Sequence, residues 1–396
     1  MKTNFSVVPK LMAKDPRLAA AIVRAFWAQK KSMLVDRTFR DGRTSELGLM
    51  YFRLTPLCNL RCVMCGQRGD KGVLKGAFAA AEAKDIVPLA TYKRLVDEVK
   101  PKRPVVYLWG GEPFLYPDLF PLVDYMMESG LTVSVNTNGT FLEAKAEEIV
   151  RRKWHALFVS LDGFEETNDR IRGEGSYERV IRGFEAINRE KERQGSHYPY
   201  MGVVTTVNNL NYKDLFRLAE AAKDFKLAWH IFNLGTYTNA AIVESQRAFM
   251  KEKLDTDIAC LPAYDTGYNL GIDGRELHAI LSRIHAMPTD HPIITVPALE
   301  PDKIDIYYGK LETPVRDTCS VPWSQANIDY NGNVHFCADY NDYVLGNIKE
   351  RPLFEILDGE RARRFRRALK ESPGGIFPGC VRCYQNMLCG RRLAGF

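Results

Sequence analysis

From residue 49 the chain settles into a two-beat hydrophobic rhythm. Short apolar runs occur at LMYFRLT (49–55), VVYLWG (105–110), LTVSVNTNG (131–139), HALFVSLDG (155–163), MGVVTTVNN (201–209) and AWHIFNLG (228–235). Between most of them lie stretches such as TYKRLVDEV, LFPLVDYMMESG, KAEEIVRRK and YERVIRGFEAI, whose apolar residues recur at helical spacing. Strand alternating with helix predicts parallel βαβ units and an α/β fold. Six such units build either a doubly wound sheet or a partial (β/α) barrel, and in both ligands gather beyond the carboxyl ends of the strands. The glycine-bearing, polar and cysteine-bearing segments all follow strands, so the chemistry is expected on that rim.

Outside this core the pattern changes. Residues 8–35 carry Leu11, Leu18, Ile22, Val23 and Phe26 at helical spacing, with Arg24, Lys30 and Lys31 as a basic edge. Packing against the main domain is expected of this helix, and a peripheral membrane contact is the alternative. Residues 236–318 lose the rhythm and read as a connecting or lid region. Residues 319–396 are cysteine-dense and contain a predicted hairpin, SQANIDYNGNVHFC, around the turn pair Asn331-Gly332. The expected division is therefore 1–48, 49–235, 236–318 and 319–396.

Charge adds little direction: the formal net charge of +6 is mild and spread through the chain. The densest basic run, RARRFRRALK (361–370), is expected to be a solvated helix face rather than a nucleic-acid site. No stretch approaches the roughly 20 continuous apolar residues that cross a bilayer, and the N-terminus lacks a signal-peptide pattern. The expectation is a cytoplasmic protein, in which nine cysteines serve better as metal ligands than as disulfides. All but Cys260 fall in two groups, Cys58/Cys62/Cys65 and Cys319/Cys337/Cys380/Cys383/Cys389. Cys260 is expected to be a buried, inert thiol.

The first group, CNLRCVMC (58–65), supplies three thiols and no nearby histidine, His155 being the first in the chain. A structural zinc site wants four ligands. Three thiolates could instead hold a 4Fe–4S cube by three irons and leave the fourth open. The segment resembles the C-x3-C-x2-C cluster loop of the radical S-adenosylmethionine (radical SAM) enzymes. That resemblance implies a partial (β/α)6 TIM barrel in which Cys58, Cys62 and Cys65 hold a 4Fe–4S cluster whose open iron is chelated by SAM. Reductive cleavage then gives methionine and a 5′-deoxyadenosyl radical, which abstracts hydrogen from a substrate. A reducing partner of the flavodoxin or ferredoxin class is implied with it.

The segment WGGEP (109–113) resembles the family's Gly-Gly-Glu-Pro motif, which places Gly110, Gly111, Glu112 and Pro113 around the SAM ammonium. Glycines let a backbone approach a ligand closely, and a carboxylate suits a cationic amine. NTNG (136–139) and SLDG (160–163) end the third and fourth strands. Ser160 and Asp162 could reach ribose hydroxyls or order the substrate side of the pocket. Asn136 and Asn138 either join the site or form a turn, since Asn-Gly favours tight turns. NDRIRGEGSYERVIRG resembles the segment after strand four in many relatives. Its Arg172 is a candidate for the SAM carboxylate, with a helix-surface arginine as the equal alternative. Most relatives carry an aromatic residue beside the third cysteine; here Met64 and Gly66 stand there. Met64 is expected to pack against the adenine through its thioether, and Gly66 to leave room beside the cluster.

The order of the second group resembles the SPASM extension of a subset of radical SAM enzymes, which implies a small, cysteine-rich C-terminal domain with auxiliary iron–sulfur chemistry. The full pattern has a further cysteine where this chain has Leu393. Five cysteines cannot fill the about eight ligand positions of two fully coordinated clusters, so one auxiliary 4Fe–4S cluster is expected. Cys319, Cys337, Cys380 and Cys383 are the first choice as ligands, with Cys389 competing. A zinc knuckle is the alternative reading of the C-x2-C pair. The SPASM resemblance favours a maturase-like oxidoreductase acting on a peptide or protein. The first 50 residues lack the strand alternation of a winged peptide-recognition domain, which keeps a small molecule, a sugar or a lipid-linked substrate as the alternative. A non-enzymatic zinc scaffold or an electron-transfer protein are further alternatives, but electron transfer has no use for the GGEP segment.

Overall fold

The computed structural model describes residues 15–74 and 82–392. All six expected strands form: β1 (Leu49–Arg53), β2 (Val105–Trp109), β3 (Thr132–Thr137), β4 (Ala156–Ser160), β5 (Tyr200–Thr206) and β6 (Trp229–Asn233). They pair in parallel in chain order. Helices Leu89–Val99, Leu119–Glu128, Leu142–Arg151 and Ser176–Gln194 occupy the stretches with helical spacing. Alternate strand residues such as Val106, Leu108, Val133, Leu157, Val159 and Val203 are buried in the continuous core that includes these helices. Their neighbours Tyr107, Phe158 and Trp229 face the other way and are only half-buried. A parallel sheet covered on both faces reads as near-continuous apolar runs, which is why these strands stood out.

Two departures matter for the site. The region 236–318 is more than a connector, because β7 (Ile293–Val296) lies in it and pairs in parallel with β6. Its IITV run is only four residues, between Pro292 and Pro297, too short to extend the rhythm. After the two-residue β8 (Arg316–Asp317), the cysteine-rich region does not form a separate layer. Its strand β9 (Gln325–Ile328) pairs in parallel with the other edge of β1. The antiparallel β10 (Asn333–His335) and β11 (Gly346–Asn347) then complete a ten-stranded sheet in the order β11-β10-β9-β1-β2-β3-β4-β5-β6-β7. The predicted hairpin turn is present, with Gly332 at φ +90° and its N–H donating to the Asp329 carbonyl at 2.8 Å.

The N-terminal helix spans Pro16–Lys31; the expected residues 8–14, Leu11 among them, lie outside the described part. Asp15 caps it by accepting from the Leu18 N–H at 3.0 Å, and Pro16 opens it where no donor is needed. The helix runs over the amino ends of the strands. A Cβ on Gly48, the residue before β1, would stand 2.9 Å from the Ala25 carbonyl, and Asp15 bonds the Tyr198 hydroxyl just ahead of β5. The barrel is thus covered at the end away from the cysteine loops.

The run 361–370 is only partly a solvated face. In helix Glu360–Glu371, Arg361 and Arg364 are exposed, but Arg366 is 1% exposed. Its guanidinium donates to the carbonyls of Pro322, Gly42 and Leu357 at 2.6–2.7 Å and lies 4.7 Å from the Phe336 ring. Burial lowers its pKa to about 9. Arg366 ties the N-terminal segment to the C-terminal helices.

Gly202 on β5 tests the lining of the barrel, since a Cβ there would stand 1.9 Å from Trp229 Nε1. Gly202→Ala is expected to destabilise the protein by about 1–3 kcal/mol through overpacking, read as a lower denaturant midpoint. An unchanged midpoint would show that Trp229 is free to swing away.

Candidate active site

The loop after β1 carries Cys58, Cys62 and Cys65, and each sulfur is met by an N–H donor. The Leu60 backbone N–H reaches Cys58 Sγ at 3.4 Å, the Arg68 backbone N–H reaches Cys65 Sγ at 3.4 Å, and Arg172 Nη1 reaches Cys62 Sγ at 3.9 Å. Asn138 Nδ2 adds a second donor to Cys58 at 3.7 Å. Burial pushes the free Cys58 thiol up, and lifts Cys62 to about 12 although Arg172 pulls it down. Partly buried sulfurs surrounded by donors suit thiolates that carry negative charge against a metal cluster, and hydrogen bonds to sulfur are a lever on cluster potential.

The GGEP turn packs on this loop. Gly110 and Gly111 both adopt positive φ, +88° and +55°. A Cβ on Gly110 would sit 2.0 Å from Arg53 Cγ, and one on Gly111 would sit 2.0 Å from the Leu57 carbonyl. The close approach these glycines permit is therefore to residues 53–57, which feed the cysteine loop. The Glu112 N–H donates to Leu57 O at 2.7 Å, and the Gly111 N–H to Gln67 Oε1 at 3.2 Å. Glu112 is fully buried and its carboxylate accepts from Thr137 Oγ1 and the Asn138 N–H, both at 2.7 Å, and from the Phe114 N–H at 3.3 Å. Pro113, buried, opens the short 3-10 turn Pro113–Leu115.

Asn138 unites the two readings offered for it. Its Oδ1 accepts from the Thr140 N–H at 3.0 Å, as a turn-former does, while its Nδ2 reaches Cys58 and Asn59 Oδ1. Asn136 lies two residues earlier, on β3, and is half-buried. Arg172 is no surface arginine. It is 9% exposed, and its Nη2 lies 2.6 Å from the fully buried Asp162 Oδ2. Burial works most strongly against the Arg172 charge, but Asp162 together with Cys62 and Cys65 outweighs it, so its pKa rises. Asp162 Oδ1 also accepts from the Thr206 N–H at 2.7 Å. The β4 and β5 ends are thereby fastened to Cys62. Ser160 ends β4, half-buried, and Met64 is half-buried within the loop.

The space expected beside Gly66 is filled. A Cβ there would stand 2.7 Å from the ring of Tyr264, whose hydroxyl donates to Asp339 Oδ1 at 2.9 Å. Asp339 lies two residues after Cys337, so Tyr264 spans the gap between the two cysteine groups. Burial pushes up both the Asp339 carboxyl and the Tyr264 hydroxyl. Tyr264, Asp339, Gln67 and Arg53 are the site residues that motif reading missed. Gln67 and Asp339, each two residues behind a cysteine, had a local signal; Arg53 and Tyr264 had none.

In the second group Cys319, Cys380 and Cys383 are buried, and Cys337 and Cys389 half-buried. Cys337 is pushed up first by burial and then by the charges of Cys380, Cys383 and Cys319, so these four thiols lie together. Cys389 lies near Cys319, whose thiol it also pushes up, and accepts from Gln325 Nε2 at 3.1 Å. Arg382, between Cys380 and Cys383 and 0% exposed, donates to the carbonyls of Tyr307, Thr313 and Lys310 at 2.8–3.0 Å, which fixes the C-x2-C turn. Leu393 lies outside the described residues. Cys260, expected to be buried, is half-buried and donates to Asn341 Oδ1 at 2.8 Å. Among the described residues, no three His, Cys, Asp or Glu side chains converge tightly enough to share one metal ion. No described helix is long and apolar enough to cross a membrane.

Comparison with known families shows which class of enzyme this plan serves: one built on iron–sulfur chemistry. The chain matches the Radical SAM superfamily over residues 52–222 and the SPASM iron-sulfur cluster-binding domain over 319–384. It belongs to the radical SAM superfamily, with a C-terminal SPASM domain, and is a radical SAM enzyme that uses a 4Fe–4S cluster and SAM. It is similar to an AdoMet-dependent heme synthase of Methanosarcina barkeri, 34% identical over 196 residues, covering 48% of this chain and 52% of that protein. The chain thus spans about half the length of that relative. It is 24% identical to a pre-heme d1 synthase of Dinoroseobacter shibae (89% of this chain, 82% of that protein). An AdoMet-dependent heme synthase of Oleidesulfovibrio alaskensis is 26% identical (93% of this chain, 88% of that protein). Among solved structures, Streptococcus suis SuiB bound to S-adenosylmethionine has a TM-score of 0.57 at 16% identity, covering 80% of this chain and 66% of that chain. The anSMEcpe structure with bound AdoMet and Cp18Cys peptide has a TM-score of 0.53 at 16% identity, covering 83% and 84%. At such identity the structures speak for the fold alone: a partial barrel followed by a cysteine-rich region.

Glu112 yields a pH signature. Burial lifts its carboxyl from 4.5 to about 7 against its three hydrogen bonds. The folded chain then holds a proton that the unfolded chain has released, so stability falls as pH rises through this window, by up to about 3 kcal/mol. Glu112→Gln is expected to flatten the slope of the denaturation midpoint between about pH 5 and 8. A slope that survives the substitution belongs to another group.

Proposed function

We propose that this radical SAM enzyme acts on a small, flat substrate of the tetrapyrrole class, in place of the peptide that the SPASM resemblance first suggested. The observation that carries the proposal is the lining of the barrel. Rings of Tyr51 and Tyr107, Tyr107 and Phe158, and Phe158 and Trp229 lie 5.4, 5.3 and 4.8 Å apart and cross the sheet as one aromatic run. At the carboxyl end of β2, Trp109 extends this wall, held by Arg53 of β1, which stacks over it at 5.0 Å while paired with Asp329. A wall of aromatic rings this wide suits a conjugated macrocycle. The relatives named for heme and pre-heme d1 synthesis cover most of the chain, which supports this choice. The mycofactocin maturase of Mycobacterium tuberculosis covers 38% of it.

In this reading Cys58, Cys62 and Cys65 hold the cluster that SAM chelates. Cys319, Cys337, Cys380 and Cys383 hold one auxiliary 4Fe–4S cluster, with Cys389 beside it. Gly110, Gly111, Glu112, Pro113, Met64, Asn138, Ser160 and Asp162 wall the SAM site. Arg172, committed to Asp162 and Cys62, orients the loop. When bound, the reduced cluster and SAM supply the 5′-deoxyadenosyl radical, and an external donor of the flavodoxin or ferredoxin class supplies the electron. The chain's own residues keep the three sulfurs oriented, and Tyr264 closes the gap beside Cys65 against water.

Oxygen-free protein is expected to carry about eight irons per chain and to release 5′-deoxyadenosine from SAM with dithionite. Iron coproporphyrin is expected to stimulate that release, and a panel of tyrosine- and cysteine-containing peptides is not. Stimulation by peptides alone overturns the substrate while leaving the radical chemistry in place. Cys62→Ala is expected to abolish SAM cleavage, whereas Cys383→Ala spares cleavage and loses product; equal loss of cleavage in both contradicts the assignment of the two cysteine groups.

A further inference from the structure

The exposed apolar residues of this protein are unevenly distributed. Among the described residues the large hydrophobic side chains most open to water are Ile22, Trp27, Leu34, Val35, Phe39, Leu270 and Leu388. Five of these seven fall between positions 22 and 39, in the N-terminal helix and its extension. Trp27, Leu34 and Phe39 are 64%, 70% and 80% exposed, which no packing requirement explains.

The helix is built to gather them. On an unbroken α-helix, at 100° per residue, Trp27 and Phe39 would point about 120° apart. The π turn Ser32–Asp36 interrupts it. Each residue of the wider π turn advances by only about 80°, so five of them delay the phase by roughly 90°. Phe39 and Val35 therefore return to the side of Trp27. The opposite side is the one that packs: Leu18, Ala21, Ser32 and Asp36 are buried, and Gln29 Nε2 donates to Ser320 Oγ at 2.6 Å.

Charge completes the surface. Residues 16–40 hold six basic residues and a single acid, Asp36, which is buried. Beside the helix a cleft is lined by Arg24, Trp27, Lys31, Lys102 and Arg103. Its one acid, Glu46, is already ion-paired with Lys31 at 2.6 Å. Aromatic and aliphatic side chains flanked by unneutralised cations are the pattern of a helix lying in a bilayer interface, where indole and phenyl groups enter the headgroup layer and long cations meet phosphates. A protein partner of matching apolar shape would not call for that excess of positive charge.

We propose that this face docks the enzyme on an anionic phospholipid bilayer. Trp27, Leu34, Val35 and Phe39 enter the interfacial layer, and Arg24, Lys30, Lys102 and Arg103 meet the lipid phosphates. Because the helix covers the amino ends of the strands, the docked protein turns its cysteine loops away from the lipid, and substrate and reductant reach it from water. The inference stands independently of the tetrapyrrole reading.

The full-length, cluster-loaded protein is tested by sedimentation with phosphatidylcholine vesicles and with mixed phosphatidylcholine–phosphatidylglycerol vesicles. It is expected to sediment with the mixed vesicles only, and less so as salt rises. Trp27→Ser/Phe39→Ser and Arg24→Glu/Arg103→Glu are each expected to lower vesicle binding about tenfold or more, with cluster absorbance and SAM cleavage unchanged. Failure to sediment with the mixed vesicles overturns the proposal, as does binding that survives both double variants. Light scattering supplies a further check, because a dimer abolished by Trp27→Ser/Phe39→Ser would assign the face to a second copy and overturn it as well.

Discussion

One buried cation sets the geometry on which both cysteine groups depend. Arg53 ends β1 at 5% exposure, with Nη1 3.3 Å from Asp329 Oδ1 and Nη2 donating to the Ala338 carbonyl at 2.8 Å. Burial alone would lower its pKa, but Asp329 and the neighbouring acidic groups raise it. Removing one partner of such a pair typically costs about 3–5 kcal/mol, because the other charge is then stranded out of water. The Asp329 turn and the loop beginning at Cys337 are thus held to the strand that leads into Cys58. The same side chain explains the glycine turn, since any Cβ at position 110 would overlap Arg53. Conformational freedom in the GGEP segment therefore serves the protein's own packing before it serves a ligand.

The six parallel strands and their helices were legible because each unit repeats one pattern over enough residues to register. β7 was not, being four residues between prolines. Nor was the docking of the C-terminal hairpin against β1, since the hydrophobic pattern of a strand does not name its neighbour. Local spacing likewise announced the three-cysteine loop and the GGEP turn. It could not announce Tyr264, which reaches Gly66 from nearly 200 residues away in sequence. Arg172 illustrates the intermediate case: its position offered a SAM-carboxylate ligand and a helix-surface residue equally, and long-range pairing with Asp162 buries it.

The substrate question turns on the same distinction between local and tertiary information. SPASM spacing pointed toward peptides, and one structure of similar shape holds a bound peptide. Shape is shared across chemistries, whereas a site's lining is particular to the molecule it holds. The aromatic run from Tyr51 to Trp229 depends on the residues chosen at alternate positions of four strands, and Gly202 was left without a side chain to admit the indole.

The ladder between β1 and β9 has a further consequence for how electrons travel. The loop with Cys58 and the hairpin leading to Cys337 hang from adjacent strands locked residue by residue, Leu49 to Gln325 through Phe52 to Ile328. A hinge that opened or closed the gap between the two cysteine groups would have to unzip that pairing and expel Arg53 from its acid. The spacing between the two cysteine groups is accordingly fixed by this ladder and by the Arg53–Asp329 pair. An electron passed between groups held there would cross the same distance in every state that keeps the ladder paired.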